Sequence, residues 1–257
     1  MLDSFRARFR TSPRKANRSD PAVITLDLDD GPATVRIRRN NRARRMTLRH
    51  DAATGEAVVT LPKNTALECA LSFLDNHRGW ISERRRRHGP PIPFAPGAEV
   101  PVRGVPHLLQ QLPARRGVIE VRTAVDKPVL AIPGDMDHFA RRLSDWLKRQ
   151  ARADLDLAVS RHADRLGVRP TRLSIRDQRS RWGSCSHTGG LAFSWRLILA
   201  PNFVLDYVAA HEVAHLVEMN HSDAFWRTLR ETDADVDRAE AWLKAHGAKL
   251  HRYGRAA

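Results

Sequence analysis

Residues 211–215 read His-Glu-Val-Ala-His, a spacing that can build a metal site. If this segment is helical, His211 and His215 lie one turn apart on the same face, so both imidazoles can reach one metal ion. Glu212 points about 100° away around the helix axis, where its carboxylate can take a proton from a metal-bound water. Zinc would supply Lewis acidity and lower the pKa of that water towards about 7. The motif therefore predicts hydrolytic chemistry at a zinc ion.

A third histidine follows at a spacing that suits a catalytic site. His221 lies six residues after His215, just past Asn220, which can end the helix in the left-handed conformation. The chain would then turn and bring a third imidazole towards the first two. Three protein ligands and one open position are typical of catalytic zinc, whereas structural zinc is closed by four ligands. We therefore expect His211, His215 and His221 to hold Zn²⁺.

Other side chains compete for the third ligand position. Glu218, three residues after His215 on the same helical face, can bind the metal or hydrogen-bond a ligand histidine. Glu231 or Glu240, on later helices, would instead complete a site of two histidines and one glutamate. Cys185 can supply a thiolate in a latent state, although a small buried thiol is the commoner role. The spacing alone leaves these alternatives open.

The segment before the motif predicts one wall of the site. Residues 181–185 and 191–198 read as two strands of a hairpin, joined through a turn at Gly189-Gly190. An edge strand beside the metal can pair with an extended substrate through backbone hydrogen bonds. The predicted substrate-binding residues are Arg181, Trp182, Gly183, Ser184 and Trp195. The two tryptophans also fit a role as core anchors, and the glycine also fits one in close packing.

Several residues carry a donor that could stabilise a developing oxyanion. Tyr207 precedes His211 by one helical turn, and His251, Arg252 and Tyr253 lie near the end of the chain. The sequence does not choose among the four, and Tyr207 also fits the role of a core aromatic.

The surrounding pattern predicts the elements that position these residues. A long helix over residues 135–166 ends at Gly167, and Pro201 suits the first turn of the motif helix. Another helix spans residues 65–88 and is ended by Gly89-Pro90-Pro91. Predicted strands cover residues 35–38, 46–49, 56–61, 99–102, 117–122, 129–132, 173–175 and 191–199.

Basic residues outnumber acidic ones in the chain as a whole. Its 257 residues include 38 Arg and 6 Lys against 29 Asp and Glu, a net charge of +15. The excess lies in the tail up to Arg18, in seven arginines from Arg36 to Arg49, and in the run 84–87. These clusters predict nucleic-acid binding as one use of the surface, and a solvated arginine-rich face as the other.

Composition also excludes some classes of protein. No apolar run approaches the roughly 20 residues that a membrane helix needs, and no signal-peptide pattern precedes Pro21. Two cysteines cannot form the framework of a secreted disulfide-rich domain. We therefore expect a cytoplasmic protein without a membrane partner, and the sequence does not set its oligomeric state.

Together the motifs resemble those of the YgjP-like zincin metallohydrolases, which are relatives of the SprT-like and Wss1-like (WLM) metalloproteases. The resemblance lies in residues 181–185, 195–201, 211–215 and 220–226, and it extends more weakly over residues 35–247. His187 departs from the family pattern, in which a small polar residue is expected at that position.

The resemblance implies an α+β fold. A zincin-like helical catalytic domain with a small antiparallel sheet would follow a small β-rich N-terminal domain. It also implies zinc on His211, His215 and His221, with Glu212 as the general base. We expect a disordered basic tail over residues 1–20, a β-rich domain with one helix over 21–132, and the metallohydrolase domain over 133–257.

The leading functional hypothesis is a zinc metallopeptidase that acts on a polypeptide. Zinc-bound water, activated by Glu212, would attack a peptide carbonyl. One alternative is a metal-dependent nucleotide pyrophosphatase or phosphohydrolase, which the basic surface makes conceivable. Another is a basic nucleic-acid-binding protein whose metal is only structural.

Overall fold

The computed structural model describes residues 22–51, 54–89, 91–113, 117–123, 127–178 and 181–254. The predicted tail over residues 1–20 lies outside them. The chain divides into two compact units, Met1–Pro91 and Ile92–Ala257. Both mix helices with strands, which confirms the α+β class. No helix in the described ranges combines the length and apolar character needed to cross a membrane.

The N-terminal unit is a four-stranded sheet with two helices. Its elements are β1 (Ala22–Leu28), β2 (Gly31–Asn40), β3 (Thr47–Asp51), β4 (Glu56–Pro62), α1 (Leu67–Asp75) and α2 (Arg78–His88). The strand order is β1-β2-β4-β3, and β2 and β4 run parallel while the other pairs are antiparallel. Alternate apolar side chains such as Val35 and Val59 pack with Leu74 and Ile81 of the helices to form the core.

The helix predicted over residues 65–88 is in fact two helices. The chain turns at Asn76 and His77, where the backbone N–H of His77 donates to the carbonyl of Leu74 at 3.0 Å. The His77 ring also bonds the Phe73 carbonyl at 2.7 Å, so local polar contacts satisfy the groups at the break.

Some arginines of the predicted basic clusters have partners within the unit. Arg36 forms an ion pair with Glu56 at 2.8 Å, and Arg85 donates to the Gly31 carbonyl at 2.9 Å. Arg39 donates to two backbone carbonyls near the end of β4. These contacts give the arginines a structural role, and nucleic-acid binding through them stays a prediction.

The C-terminal unit begins with a second four-stranded sheet. It consists of β5 (Glu99–Val102), β6 (Val105–Leu112), β7 (Glu120–Arg122) and β8 (Val129–Pro133), in the order β5-β6-β8-β7. Val100, Leu109 and Leu130 of this sheet share one core with Phe139 and Leu147 of the following helix. The structure therefore divides after Pro91, not at the predicted boundary between residues 132 and 133, because this sheet packs with the elements that follow it.

One long helix, α3 (Met136–Leu166), forms the scaffold of this unit. Six large apolar side chains of the helix are buried, namely Phe139, Leu143, Trp146, Leu147, Leu155 and Val159. Gly167 ends α3 in the left-handed conformation, with φ 65°, as its position in the sequence predicts.

A third, three-stranded sheet lies next to the motif helix. Its strands are β9 (Arg172–Arg176), β10 (Gly183–Cys185) and β11 (Gly190–Ser194), in the order β10-β11-β9. β10 and β11 form the predicted antiparallel hairpin, but β9 and β11 run parallel, so the sheet is mixed and not antiparallel.

The predicted strand over residues 191–199 changes conformation halfway. Its second half is a 3₁₀ helix, Trp195–Leu199, which begins where the Ser194 side chain accepts a hydrogen bond from the backbone N–H of Arg196. A continuous apolar run does not reveal such a change, because both halves are buried. The remaining helices are α4 (Asn202–Ala214), α5 (Asp223–Arg230) and α6 (Val236–Leu250).

Candidate metal centre

Helix α4 positions the first two histidines. The helix is buried on most sides, and it ends at Ala214 with His215 as its C-cap residue in a right-handed helical conformation. The backbone N–H of His215 still donates to the His211 carbonyl, so the two residues remain one turn apart. Their ring centroids are 4.9 Å apart, as the motif predicts for one face of a helix.

The chain after α4 turns back and brings in His221. Its Nε2 lies 3.0 Å from Nε2 of His211. The predicted left-handed conformation of Asn220 is wrong, because the only non-glycine residues with positive φ in the described ranges are Arg103 and Asp233. Instead the Asn220 side-chain oxygen accepts a hydrogen bond from the backbone N–H of Ser222 at 3.2 Å, which closes the turn.

The three imidazoles fit a single divalent cation. One ring nitrogen from each of His211, His215 and His221 lies within 4.8 Å of the other two. Two nitrogens bound tetrahedrally to zinc are separated by about 3.3 Å, and the Nε2 atoms of His211 and His221 are already 3.0 Å apart. Nδ1 of His215 lies 3.0 Å from the Glu218 carbonyl, which leaves Nε2 of that ring for a metal.

The protonation of the rings also favours metal binding. Burial, with added repulsion from His215 and His221, lowers the pKa of His211 to about 4. Burial likewise lowers the pKa of His215, although a hydrogen bond to Glu218 acts in the opposite direction. Neutral imidazole is the form that ligates a metal, so His211 offers its lone pair at neutral pH.

Phe225 forms the base of the triad. This side chain is fully buried in α5, and its ring centroid lies 4.5–5.0 Å from those of all three histidines. The centroid of the Trp226 ring, on the next residue of α5, lies 6.0 Å from that of His221. Helix α5 is held at its start by Ser222, whose hydroxyl accepts from the Phe225 backbone N–H. These contacts fix the loop that carries His221.

Glu212 is held against strand β10. The side chain is 6% exposed, and a Cβ atom added to Gly183 would lie 2.5 Å from its Cγ and its Oε1. Burial raises the pKa of Glu212 to about 7, while the Arg181 charge and a hydrogen bond from the Cys185 backbone N–H oppose the rise. Gly183 therefore lets the carboxylate approach the strand closely.

A cavity of about 450 Å³ opens over the triad. Four of the five predicted substrate-binding residues line it, namely Arg181, Trp182, Gly183 and Ser184. Trp195 does not. It is 3% exposed and packs in the core beside Phe94, because the 3₁₀ helix turns its side chain inward. The alternative role of Trp195 as a core anchor is the one its burial supports.

None of the four competing side chains belongs to the converging group, and Glu218 contacts His215 through its backbone carbonyl. Within the described residues, the histidines are the only group of three potential ligand side chains that converges. Glu231 is exposed at the end of α5, and the Glu240 carboxylate accepts a hydrogen bond from the Tyr207 hydroxyl at 2.8 Å. Cys185 lines the cavity, but burial and the nearby Glu212 charge raise its thiol pKa, which disfavours a thiolate.

Of the four predicted oxyanion donors, only Tyr207 lines the cavity. Its hydroxyl lies 3.5 Å from Nδ1 of His211 and is bonded to Glu240. The His251 ring stacks on Trp182 with centroids 5.0 Å apart. Tyr207 thus connects Glu240 of α6 to His211. The sequence pattern does not indicate this connection, because α6 is distant in sequence from the motif.

Three convergent imidazoles beside a buried carboxylate in an α+β fold are the arrangement of a metal-dependent hydrolase with one metal ion. The family model described as the YgjP-like metallopeptidase domain matches residues 44–246. This range is more than half of the chain, and the protein belongs to the YgjP-like family.

No curated protein matches the chain. A solved structure with some similarity is the metallopeptidase zymogen abylysin of Pyrococcus abyssi. The two proteins are 21% identical, and the match covers 35% of this chain and 95% of that chain with a TM-score of 0.31. A likeness at that level does not bear on the function of this protein.

Proposed function

We propose that this protein is a zinc-dependent peptidase. In this proposal His211, His215 and His221 hold the metal and Glu212 is the general base. The observation that carries it is the convergence of three ring nitrogens within 4.8 Å, next to a buried carboxylate in the same cavity. A site that opens into a cavity suits catalysis better than a structural metal.

In this proposal the metal activates water, and the residues around Glu212 hold its carboxylate as the base. Zinc supplies Lewis acidity and lowers the pKa of water at such a site. Glu212 takes the proton from the attacking water, and a pKa raised by burial makes its carboxylate a stronger base. The Cys185 backbone N–H and the contact with Gly183 hold that carboxylate in one place. The Arg181 charge keeps it ionised more readily than burial alone would.

Strand β10 supports a polypeptide as the substrate. It is an edge strand of its sheet, so one side of its backbone is not paired within that sheet. Gly183 and Ser184 of this strand line the cavity beside Glu212. An extended peptide can pair with this edge through backbone hydrogen bonds and so place a carbonyl near the triad.

The test uses an unfolded protein substrate. The full chain, loaded with one equivalent of zinc, is expected to cleave reduced casein, with new amino termini measured by an amine-reactive dye. Chelation should abolish cleavage, and added zinc should restore it. Nucleoside triphosphates are tested in parallel. Nucleotide turnover without cleavage of any polypeptide would contradict the proposal and favour a phosphohydrolase.

Substitution of Gly183 by alanine should lower peptide turnover about a hundredfold without loss of zinc. The added methyl group cannot occupy a position 2.5 Å from Glu212, so the carboxylate or the strand must move. A displacement of about 1 Å from the reactive geometry costs rates of this size. Turnover is measured with casein, and zinc content by mass spectrometry.

The matched control is Gly79→Ala in α2. A Cβ atom there has no described atom within 4 Å, so turnover should stay within about twofold of the parent protein. Full activity in Gly183→Ala would show that the close contact with Glu212 is not required.

Removal of the Tyr207 hydroxyl, in Tyr207→Phe, should weaken zinc binding about tenfold. The hydroxyl connects Glu240 to Nδ1 of His211, and loss of such a partner lowers metal affinity by about 10–100-fold. Affinity is measured by competition with a chromophoric chelator. Tyr253→Phe changes the other tyrosine of the chain, outside the cavity, and should have no effect. Equal affinity in both variants would refute this positioning role.

A further inference from the structure

A basic trough lies on the outer face of the three-stranded sheet. We define it by Arg172, Ser174 and Arg176 on β9, Ala192 on β11 and Ser184 on β10, with Arg181 beside them. The register places Ser184, Ala192 and Ser174 side by side across the three strands. The opposite face of the sheet carries apolar side chains such as Leu173 and Phe193, which pack in the core. On the outer face Ser174 and Ser184 are half-buried and Ala192 between them is buried, so these small residues lie at the bottom of a recess.

Small residues form the floor of the trough and arginines form its sides. Arg172, Arg176 and Arg181 are all exposed. No carboxylate is among the residues that line the trough, and no ion pair within the described ranges involves any of these three arginines. The Arg181 charge also acts on the Glu212 carboxylate in the adjoining cavity, whereas Arg172 and Arg176 do not line that cavity. Three cations around a cavity of about 400 Å³ create a local positive potential.

The three arginines are the charged groups of the trough that can bind a ligand. The hydroxyls of Thr171 and Ser174 already donate to backbone carbonyls, at 2.9 and 3.3 Å. Arg172 and Arg176 are four residues apart on one strand, which separates their backbones by about 13 Å. In an extended peptide, carboxylates on every second residue lie on one face at intervals of about 6.7 Å. Two carboxylates that are four residues apart are therefore separated by about the same distance as Arg172 and Arg176.

The trough is continuous with the metal cavity. Arg181, Ser184 and Cys185 line both. We propose that the trough binds acidic side chains of the polypeptide substrate and so gives the peptidase a preference for Asp- and Glu-containing sequences. This inference rests on the proposed peptidase function, since it assigns the occupant of the trough to the chain that enters the cavity.

The test measures peptide binding without cleavage. The full chain carrying Glu212→Gln, with one equivalent of zinc, is titrated into a fluorescein-labelled decapeptide of alternating Glu and Ala. A decapeptide of alternating Gln and Ala serves as the neutral probe. We expect the Glu peptide to bind about tenfold more tightly at 50 mM NaCl, since two exposed ion pairs contribute about this much. The preference should shrink at 300 mM NaCl because exposed charges are screened.

The double variant Arg172→Gln/Arg176→Gln isolates the trough. Its preference for the Glu peptide should fall below about threefold. The charge-matched control, Arg141→Gln/Arg230→Gln, removes two exposed arginines that do not line the trough, and it should keep the tenfold preference. Equal binding of the two peptides by the parent protein, or a preference that survives in the trough variant, would overturn the proposal.

Two further outcomes separate this inference from others. Casein cleavage without a preference for Glu would remove the trough proposal and leave the peptidase. A Glu preference without casein cleavage would leave the trough as a site for acidic peptides and would contradict the proposed peptidase function.

A ten-nucleotide oligothymidine tests whether the trough instead binds nucleic-acid phosphates. If its binding depends on Arg172 and Arg176 while binding of the Glu peptide does not, the trough is a phosphate site and the proposal is wrong.

Discussion

Glu212→Gln is expected to retain one zinc ion per chain while peptide turnover falls about a thousandfold. Glutamine has the same size, and its carbonyl oxygen can still accept the hydrogen bond from the Cys185 backbone N–H. Its amide cannot take a proton from water at neutral pH, so the base function alone is removed. Zinc content is measured by mass spectrometry, and turnover by release of amino groups from casein.

Glu218→Gln is the matched control for this substitution. Glu218 contacts the triad through its backbone carbonyl, which accepts from His215, and its carboxylate is not part of the converging group. Zinc content and turnover in this variant should stay within about twofold of the parent protein. If Glu212→Gln kept its turnover while Glu218→Gln lost it, the roles of the two carboxylates would have to be exchanged.

The sequence predicts that His211 and His215 lie side by side because the signal is local. His211 and His215 are related by one helical turn, a distance that any α-helix enforces. Their contact in α4 therefore follows directly from the spacing. The long helix α3 is predictable for the same reason, since its apolar stripe repeats with the helical period and Gly167 marks its end.

Contacts between segments that are distant in sequence cannot be predicted from local patterns. Nothing in the sequence around Gly183 shows that Glu212 packs against it, because the two residues meet only through tertiary structure. The hydrogen bond from Tyr207 to Glu240 joins α4 to α6 and is hidden for the same reason. The apolar run through Trp195 fits a strand and a buried 3₁₀ helix equally well, so the inward direction of this side chain could not be predicted.

The boundary between the two units could not be predicted from the sequence either. The sheet β5–β8 reads as a continuation of the β-rich N-terminal region, since its strands are short and separated by Pro and Gly. Its core partners are in α3, which follows it. Composition shifts report the type of element and not which elements pack together. The predicted boundary therefore followed the change from strands to helix, whereas the structural division precedes the sheet.

His221→Ala should lower zinc affinity by more than about a hundredfold. His211 and His215, at the end of α4, would remain, whereas His221 would supply the ligand from the loop that follows. Loss of an indirect partner already costs up to about a hundredfold, and removal of a direct ligand should cost more. Chelator competition gives the affinity, and turnover of casein at limiting zinc should fall in parallel.

His138→Ala is the control for the substitution of His221. It tests whether the loss of a histidine outside the triad also lowers zinc affinity. His138 is exposed at the start of α3 and lies outside the triad, so zinc affinity should not change.

The variant His221→Ala leaves space for a ring beside Phe225. Added imidazole should therefore restore part of its zinc binding. Parent-like affinity in His221→Ala would mean that another group, such as the Glu218 carboxylate or the Cys185 thiolate, completes the site, and the three-histidine assignment would fail.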